Sequence, residues 1–424
     1  MVILGNHLAV AEDESPLGTF FTSKEMTSGV TFEKWNPETS QFFFQKDGKP
    51  LSYELSSLLY WGAPAELSLT DFTIVLTDGS FWLGGNPQIK NEQNSESIEL
   101  ETFCLGTMTF PLDEAAGIIF PGISSGTQEK LLTELRDGHF EEDVLIFKTG
   151  ERITGEFRSV DGKSLTFRTR DLSPESQETL LHESRNFRIS VNQLAALFFS
   201  TTLHLKSLSA NNSQKFFWLG LADGSFIRFQ PGEEWFDFQK IPHEQIVYIE
   251  SPQKSQQFFN ESLTSATEKT EERRWLDELK PSGVKDVKNE AISGKIFEPS
   301  WKSGVEPDGK RLRFQGKIFR HGISVQAGTV LNWTLEDDFH LLGILPVLAS
   351  INPGNPEIEV RCRIWIDGRM EAEKILDSES KPELILVELN QAKELVLETT
   401  PISENDLQMP CISVVNWLNG FLEP

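Results

Sequence analysis

Seven histidines, His7, His139, His182, His204, His243, His321 and His340, are the chain's readiest general bases and metal ligands, and they are scattered. No HExxH motif and no His-x-His pair brings two imidazoles to one ion. Cys104, Cys362 and Cys411 make an odd count without close spacing, which excludes a disulfide framework and a cysteine zinc knuckle. Cys362 and Cys411 could meet in one interior; otherwise they are buried free thiols. Glycosidic chemistry would need two acids at a fixed separation. Acidic residues occur throughout, and the runs Asp337-Asp338 and Glu141-Glu142-Asp143 read as solvated turns. There is no GxSxG elbow, GxxxxGK[ST] loop or GxGxxG turn. The chain reads as non-enzymatic, with no metal or cofactor site.

Sugar binding needs less: a flat aromatic face and a few planar polar groups. In EIEVRCRIWIDGR, apolar Ile358, Val360, Cys362, Ile364 and Ile366 alternate with Glu359, Arg361, Arg363 and Trp365. Period two means a strand with one face buried. Trp365 therefore falls on the outward face with Arg361 and Arg363, either as a stacking platform or covered by the arginine stems or a loop. Trp417, between Asn416 and Asn419, reads as a ligand contact or a core anchor. Trp333, in phase with Leu331 and Leu335, is core. Gln326 and His321, either side of Gly322, are further candidates.

These residues need strands to hold them. GKIFRHGISVQAGTVLNWTL is strand, glycine turn, strand; Asp367-Gly368 closes a hairpin; ELILVEL, KELVLET and ISVVNWLNGFL follow. Nothing of helical period interrupts them, so residues 316–422 predict a β-sandwich.

The order FRHGISVQAGTVLNWTL, WIDGR, NQAKELVLET, VVNWLNGFL resembles the NPCBM family of carbohydrate-binding modules, found beside glycoside hydrolases of family 98 and in many secreted proteins. The lead-in WLDELKP (Trp275–Pro281) is also similar. The likeness covers about residues 275–424. It implies a galactose-binding-like jelly roll and a glycan ligand, and Trp417 matches the family's closing tryptophan; the candidate contacts read from the residues themselves are Trp365, Arg361, Arg363, Trp417, Asn416, Gln326 and His321. Gln326 stands where the family usually has histidine, and Asn416 and Asn419 stand where it has acids. LPVLASIN lacks the family's acidic residue. With those carboxylates gone, a structural calcium is not supported.

Before the sandwich the chain repeats itself. LSYELSSLLYWG (51–62), FPLDEAAGIIF (110–120), ISVNQLAALFF (189–199) and IPHEQIVYIE (241–250) superpose without gaps and set Leu59, Ile118, Leu197 and Ile249 in one column. Three units open on a strand, a glycine turn and a second strand, turning at Asp78-Gly79, Thr149-Gly150 and Asp223-Gly224. This predicts small antiparallel SH3- or Sm-like β units. The full expectation is an all-β chain. Residues 1–17 are a signal-peptide remnant or disordered, 18–125 hold units one and two, and 140–251 hold units three and four. Residues 252–290 form a polar linker with a short helix docking Trp275, and 291–424 form the sandwich.

Charge narrows the partners. Sixty-four acidic against 39 basic residues give −25. That field and the lack of a basic stripe argue against nucleic acid, despite the Sm-like pattern, and against anionic membrane. No apolar run of about 18 residues exists. MVILGNHLAVAEDES places Ala9 and Ala11 as in a cleavage site, without a basic leader. A secreted, periplasmic or envelope location is expected. The sequence thus supports an exported, non-catalytic carbohydrate-binding protein with a β scaffold. Its alternative is an envelope structural or protein-interaction protein whose sandwich has lost its sugar site.

Overall fold

The strand–turn–strand theme folds into one motif used repeatedly. The computed structural model describes residues 17–22, 26–36, 38–54, 57–92, 95–169, 185–200, 217–229, 241–250, 273–286, 301–307, 309–335, 339–349, 359–402 and 413–424. Residues 1–16, most of the expected linker, Asp337-Asp338, His182, His204 and Cys411 lie outside them, and His7 with the first of these.

Unit one comprises β1 (Leu17–Thr22), β2 (Met26–Asn36), β3 (Gln41–Lys46), β4 (Lys49–Glu54) and β5 (Leu58–Gly62). It is an antiparallel meander whose last strand returns to pair with its first. Unit two repeats this with β6 (Phe72–Leu76), β7 (Phe81–Glu92), β8 (Ser95–Thr102), β9 (Gly106–Pro111) and β10 (Ala115–Ile119). Helix α1 (Ser125–Asp137) follows, its N-cap Ser124 Oγ accepting the Thr127 N–H. Unit three is β11 (Asp143–Phe147), β12 (Arg152–Val160), β13 (Ser164–Thr169), β14 (Arg185–Ser190) and β15 (Leu194–Phe198). Unit four shows β16 (Phe217–Leu221), β17 (Phe226–Phe229) and the returning β18 (Ile246–Glu250). The polar step before three of the returning strands is a 3-10 turn: Leu112–Glu114, Val191–Gln193 and His243–Gln245.

Returning strands join the units. β10 pairs with β15, setting Ile118 opposite Leu197, and β5 pairs with β18, setting Trp61 opposite Ile249. Leu59 leaves the column the sequence drew. A bulge opposite Phe21 and Thr22 separates Leu58 from Tyr60, so Trp61 faces the array core and Leu59 the outer side. Gly62 has φ +81, and a Cβ there would meet the Val247 carbonyl at 1.9 Å, so this close seam requires glycine.

Units two and four meet through their DGSF turns. The Leu83 N–H donates to Ser225 Oγ (3.0 Å) and the Arg228 N–H to Ser80 Oγ (2.9 Å), while Phe81 and Phe226 stack at 5.7 Å. The contact is reciprocal, residue for residue. The units therefore run one, four, two, three about a local near-twofold. On the outer side of the β10–β15 seam, α1 packs Leu131 and Leu135 over Ala116, Ile119 and Phe198. On the outer side of the β5–β18 seam sits the sandwich.

The sandwich strands are β19 (Arg274–Trp275), β20 (Gly283–Asp286), β21 (Trp301–Ser303), β22 (Leu312–Phe314), β23 (Lys317–Phe319), β24 (Gly322–Gln326) and β25 (Thr329–Thr334). They continue with β26 (Leu341–Leu348), β27 (Val360–Ile366), β28 (Arg369–Leu376), β29 (Ile385–Glu388), β30 (Glu394–Pro401) and β31 (Val414–Glu423). One sheet runs β21-β24-β31-β26-β29, with β19 beside β31; the other runs β20-β25-β30-β27-β28. Ile323, Val325, Trp333, Leu342, Ile364, Leu397 and Trp417 fill the interior between them. The result is an antiparallel jelly-roll sandwich, as the pattern predicts. The expected short helix at Trp275 is instead strand β19 and a 3-10 turn, Leu276–Glu278, because Arg274 and Trp275 pair with Leu422 and Phe421.

Candidate functional site

The outward face of the five-stranded sheet carries the candidate platform. Asp367 and Gly368 have φ 48° and 77°, which turn β27 tightly into β28. Asp367 Oδ1 accepts the N–H groups of Lys393 and Glu394, both at 2.9 Å, and pins the hairpin beside β30. On β27 Val360, Cys362, Ile364 and Ile366 are buried, while Arg361, Arg363 and Trp365 are half-buried on the other face.

Glu398 of β30 organises that face. It accepts the Trp365 indole N–H (2.9 Å), Arg363 Nη1 (3.2 Å) and the Thr400 hydroxyl (2.9 Å). Arg363 Nε also donates to Glu373 of β28 (2.7 Å), and Arg361 Nε lies 3.7 Å from the same carboxylate. The hydrogen bond from Arg363 holds Glu373 below the usual carboxylate range and raises the guanidinium in turn. Met370, opposite Trp365, is 47% exposed. The arrangement fixes the indole edge and leaves apolar surface and carboxylate oxygens around it, a geometry suited to stacking and hydroxyl recognition.

The other expected contacts lie elsewhere. Trp417 is 1% exposed and sits in the sandwich core, so the core-anchor reading holds and it is withdrawn as a sugar contact. Asn416 is also buried, its amide donating to Glu306 (3.3 Å), because the Glu306 loop covers that side of β31. His321 is buried between Glu250 of the array and Asp277 of the lead-in, stacked on Trp275, out of a ligand's reach. Gln326 is half-buried at the end of β24, opposite Val414. The structure thus brings Trp365, Arg361 and Arg363 together and separates the remaining four from them. Glu398 and Glu373 were not singled out in the sequence; the period-two phase of KELVLET was the available signal for Glu398. Among the described residues, no group of three or more His, Cys, Asp or Glu is arranged to hold a metal ion. No helix among them is long and apolar enough to cross a membrane.

No family model and no curated protein matches the chain. Among solved structures it is similar to the CBM51-2 and INT domains of Clostridium perfringens ZmpB with GlcNAc, at TM-score 0.30 and 13% identity over 36% of this chain. The chain spans 31% of that protein's length. It is also similar to CBM51 from C. perfringens GH95 with methyl-galactose, at TM-score 0.29 and 12% identity over 35% of this chain and 99% of that one. The tandem CBM22 domains of Paenibacillus barcinonensis Xyn10C align over 85% of this chain and 100% of theirs, at TM-score 0.23 and 8% identity. Scores this low place no ligand on this chain.

Proposed function

We propose that this protein is a non-catalytic, exported carbohydrate-binding protein. The sandwich meets a glycan at the Trp365 face, and the four β units serve as its scaffold. The observation that carries the reading is the half-exposed Trp365 indole, its edge fixed on Glu398 together with the Arg363 guanidinium. A sugar ring loses little ordering entropy against an aromatic face that is already rigid. The full chain, rather than the excised sandwich, is the reagent, because the array covers one face of the sandwich. On a broad glycan array it should bind a defined subset. Trp365→Ala should weaken that binding roughly tenfold or more, the scale of a lost stacking contact with its apolar burial. Absence of binding across the array, or binding indifferent to Trp365→Ala, would remove the proposal.

The second reading, an envelope protein-interaction role without a sugar site, is favoured by the burial of Asn416 and Trp417 and by exposed Met370 and Ile375 on the edge strand β28. Under it, an envelope extract yields one defined protein partner that free sugar does not displace.

A further inference from the structure

The β5–β18 seam turns Leu59, Tyr60 and Tyr248 outward and the sandwich covers them with Trp275, Leu418 and Phe421. Within this apolar contact lies a charge cluster. The His321 imidazole reaches Asp277 through Nδ1 (3.2 Å) and Glu250 through Nε2 (3.2 Å), and its ring lies parallel to Trp275 at 4.3 Å. Arg320 Nη1 donates to Glu250 (3.1 Å), and its guanidinium lies 4.5 Å from the Phe226 ring and 4.8 Å from Trp218. Tyr248 donates its hydroxyl to Glu250 (2.8 Å), and Asn419 donates to the Tyr60 hydroxyl. Gly322 follows with φ +149, and a Cβ there would meet the Trp417 carbonyl at 2.8 Å.

We propose that the Arg320-His321 turn is a latch that fixes the sandwich to the array, so that the two halves move and unfold as one body. Glu250 comes from the array; Arg320, His321 and Asp277 come from the sandwich side. Two cations meet two anions only when the halves are docked in this register, with the Glu278 carboxylate beside them at the exposed rim. A buried charge that loses its counter-charge is strongly destabilising, whereas a balanced set is not. Arg320 adds a second hold, since its aromatic seat is built from unit four. Phe226 of that seat is also the stacking residue of the DGSF contact, so the latch is continuous with the array's own interface.

Hydrogen exchange and calorimetry on the full chain test this, with His321→Gln, the double variant Glu250→Gln/His321→Gln, and Trp365→Ala as a control outside the junction. In the wild type, β18 and β31 should lose protection in one event. His321→Gln leaves two carboxylates against one guanidinium and should speed exchange in β31 and β19 by at least about tenfold. Strands β10 and β15 should stay protected. The double variant restores the charge balance and should recover part of the loss. Unchanged β31 exchange in His321→Gln, independent unfolding of the halves in the wild type, or a double variant no better than the single would each overturn the latch. Should His321→Gln fail to fold, a folded double variant supports the latch and an equally unfolded one overturns it.

Discussion

Glu398 shows how one carboxylate can set a surface. It gathers the indole of Trp365, the guanidinium of Arg363 and the Thr400 hydroxyl, and so determines which edge of the indole is tied down. Glu398→Ala should free the ring and lower glycan affinity about three- to tenfold. Glu398→Gln keeps an acceptor for the indole N–H and should recover most of that loss. Titration of the full chain with an array-selected glycan measures both, and an alanine variant that binds like the wild type would refute the positioning role. Asp143 carries a different lesson. The sequence reads it as part of a solvated turn, yet it accepts the N–H groups of Phe157 (2.7 Å) and Ser200 (2.8 Å), and burial pushes its pKa up.

At the scale of elements, the repeat is the informative feature. Each DGSF turn folds alike: the Ser N–H bonds to the preceding Asp (2.8 Å in both), leaving each Ser Oγ placed for the other unit's backbone. Both serines are buried, so removing either hydroxyl strands an N–H without a partner. Ser80→Ala and Ser225→Ala should each destabilise by about 1–3 kcal/mol. Chemical denaturation reads this directly, and a silent member of the pair would show that the contact is not reciprocal in energy. Helix α1 escaped the strand-based reading because it is short and sits between repeats. Its signals were present: Ser124 before it, Leu131 and Leu135 one turn apart, Gly138 after it.

At the scale of the whole molecule, helix and sandwich occupy equivalent seats over the two seams formed by returning strands. Arg311 of the sandwich also pairs with Glu129 of α1, and Arg313 with Glu66. The junction gives stability a pH dependence. Burial alone would lower the His321 pKa, but Asp277 and Glu250 outweigh it and raise it from 6.5 to about 10. Burial alone would raise the Glu250 pKa, but Arg320 and His321 outweigh it and lower it from 4.5 to about 2. The His321 contribution is full below 6.5 and is lost as pH rises through about 10. The Glu250 contribution is full above 4.5 and is lost as pH falls through about 2. Together they place the junction's greatest contribution between about 4.5 and 6.5. Melting profiles of the wild type minus those of Glu250→Gln/His321→Gln, taken across pH, should peak in that window. A flat difference would show that these two groups do not control docking.

The sequence alone determined most of the strands, the hairpin turns at Asp78-Gly79 and Asp367-Gly368, the repeat, and the outward phase of Trp365. Those follow from alternation and from backbone angles that few residues adopt, which are local properties of the chain. Tertiary structure decided the fates of His321, Asn416 and Trp417. Each has a polar or aromatic side chain whose type suits a ligand as well as a packed interior. Which one it meets depends on residues far away in sequence: Glu250, 71 positions from His321, and Glu306, 110 positions from Asn416. Period-two patterning names the face on which a side chain lies, but docking of another layer decides whether that face remains in water.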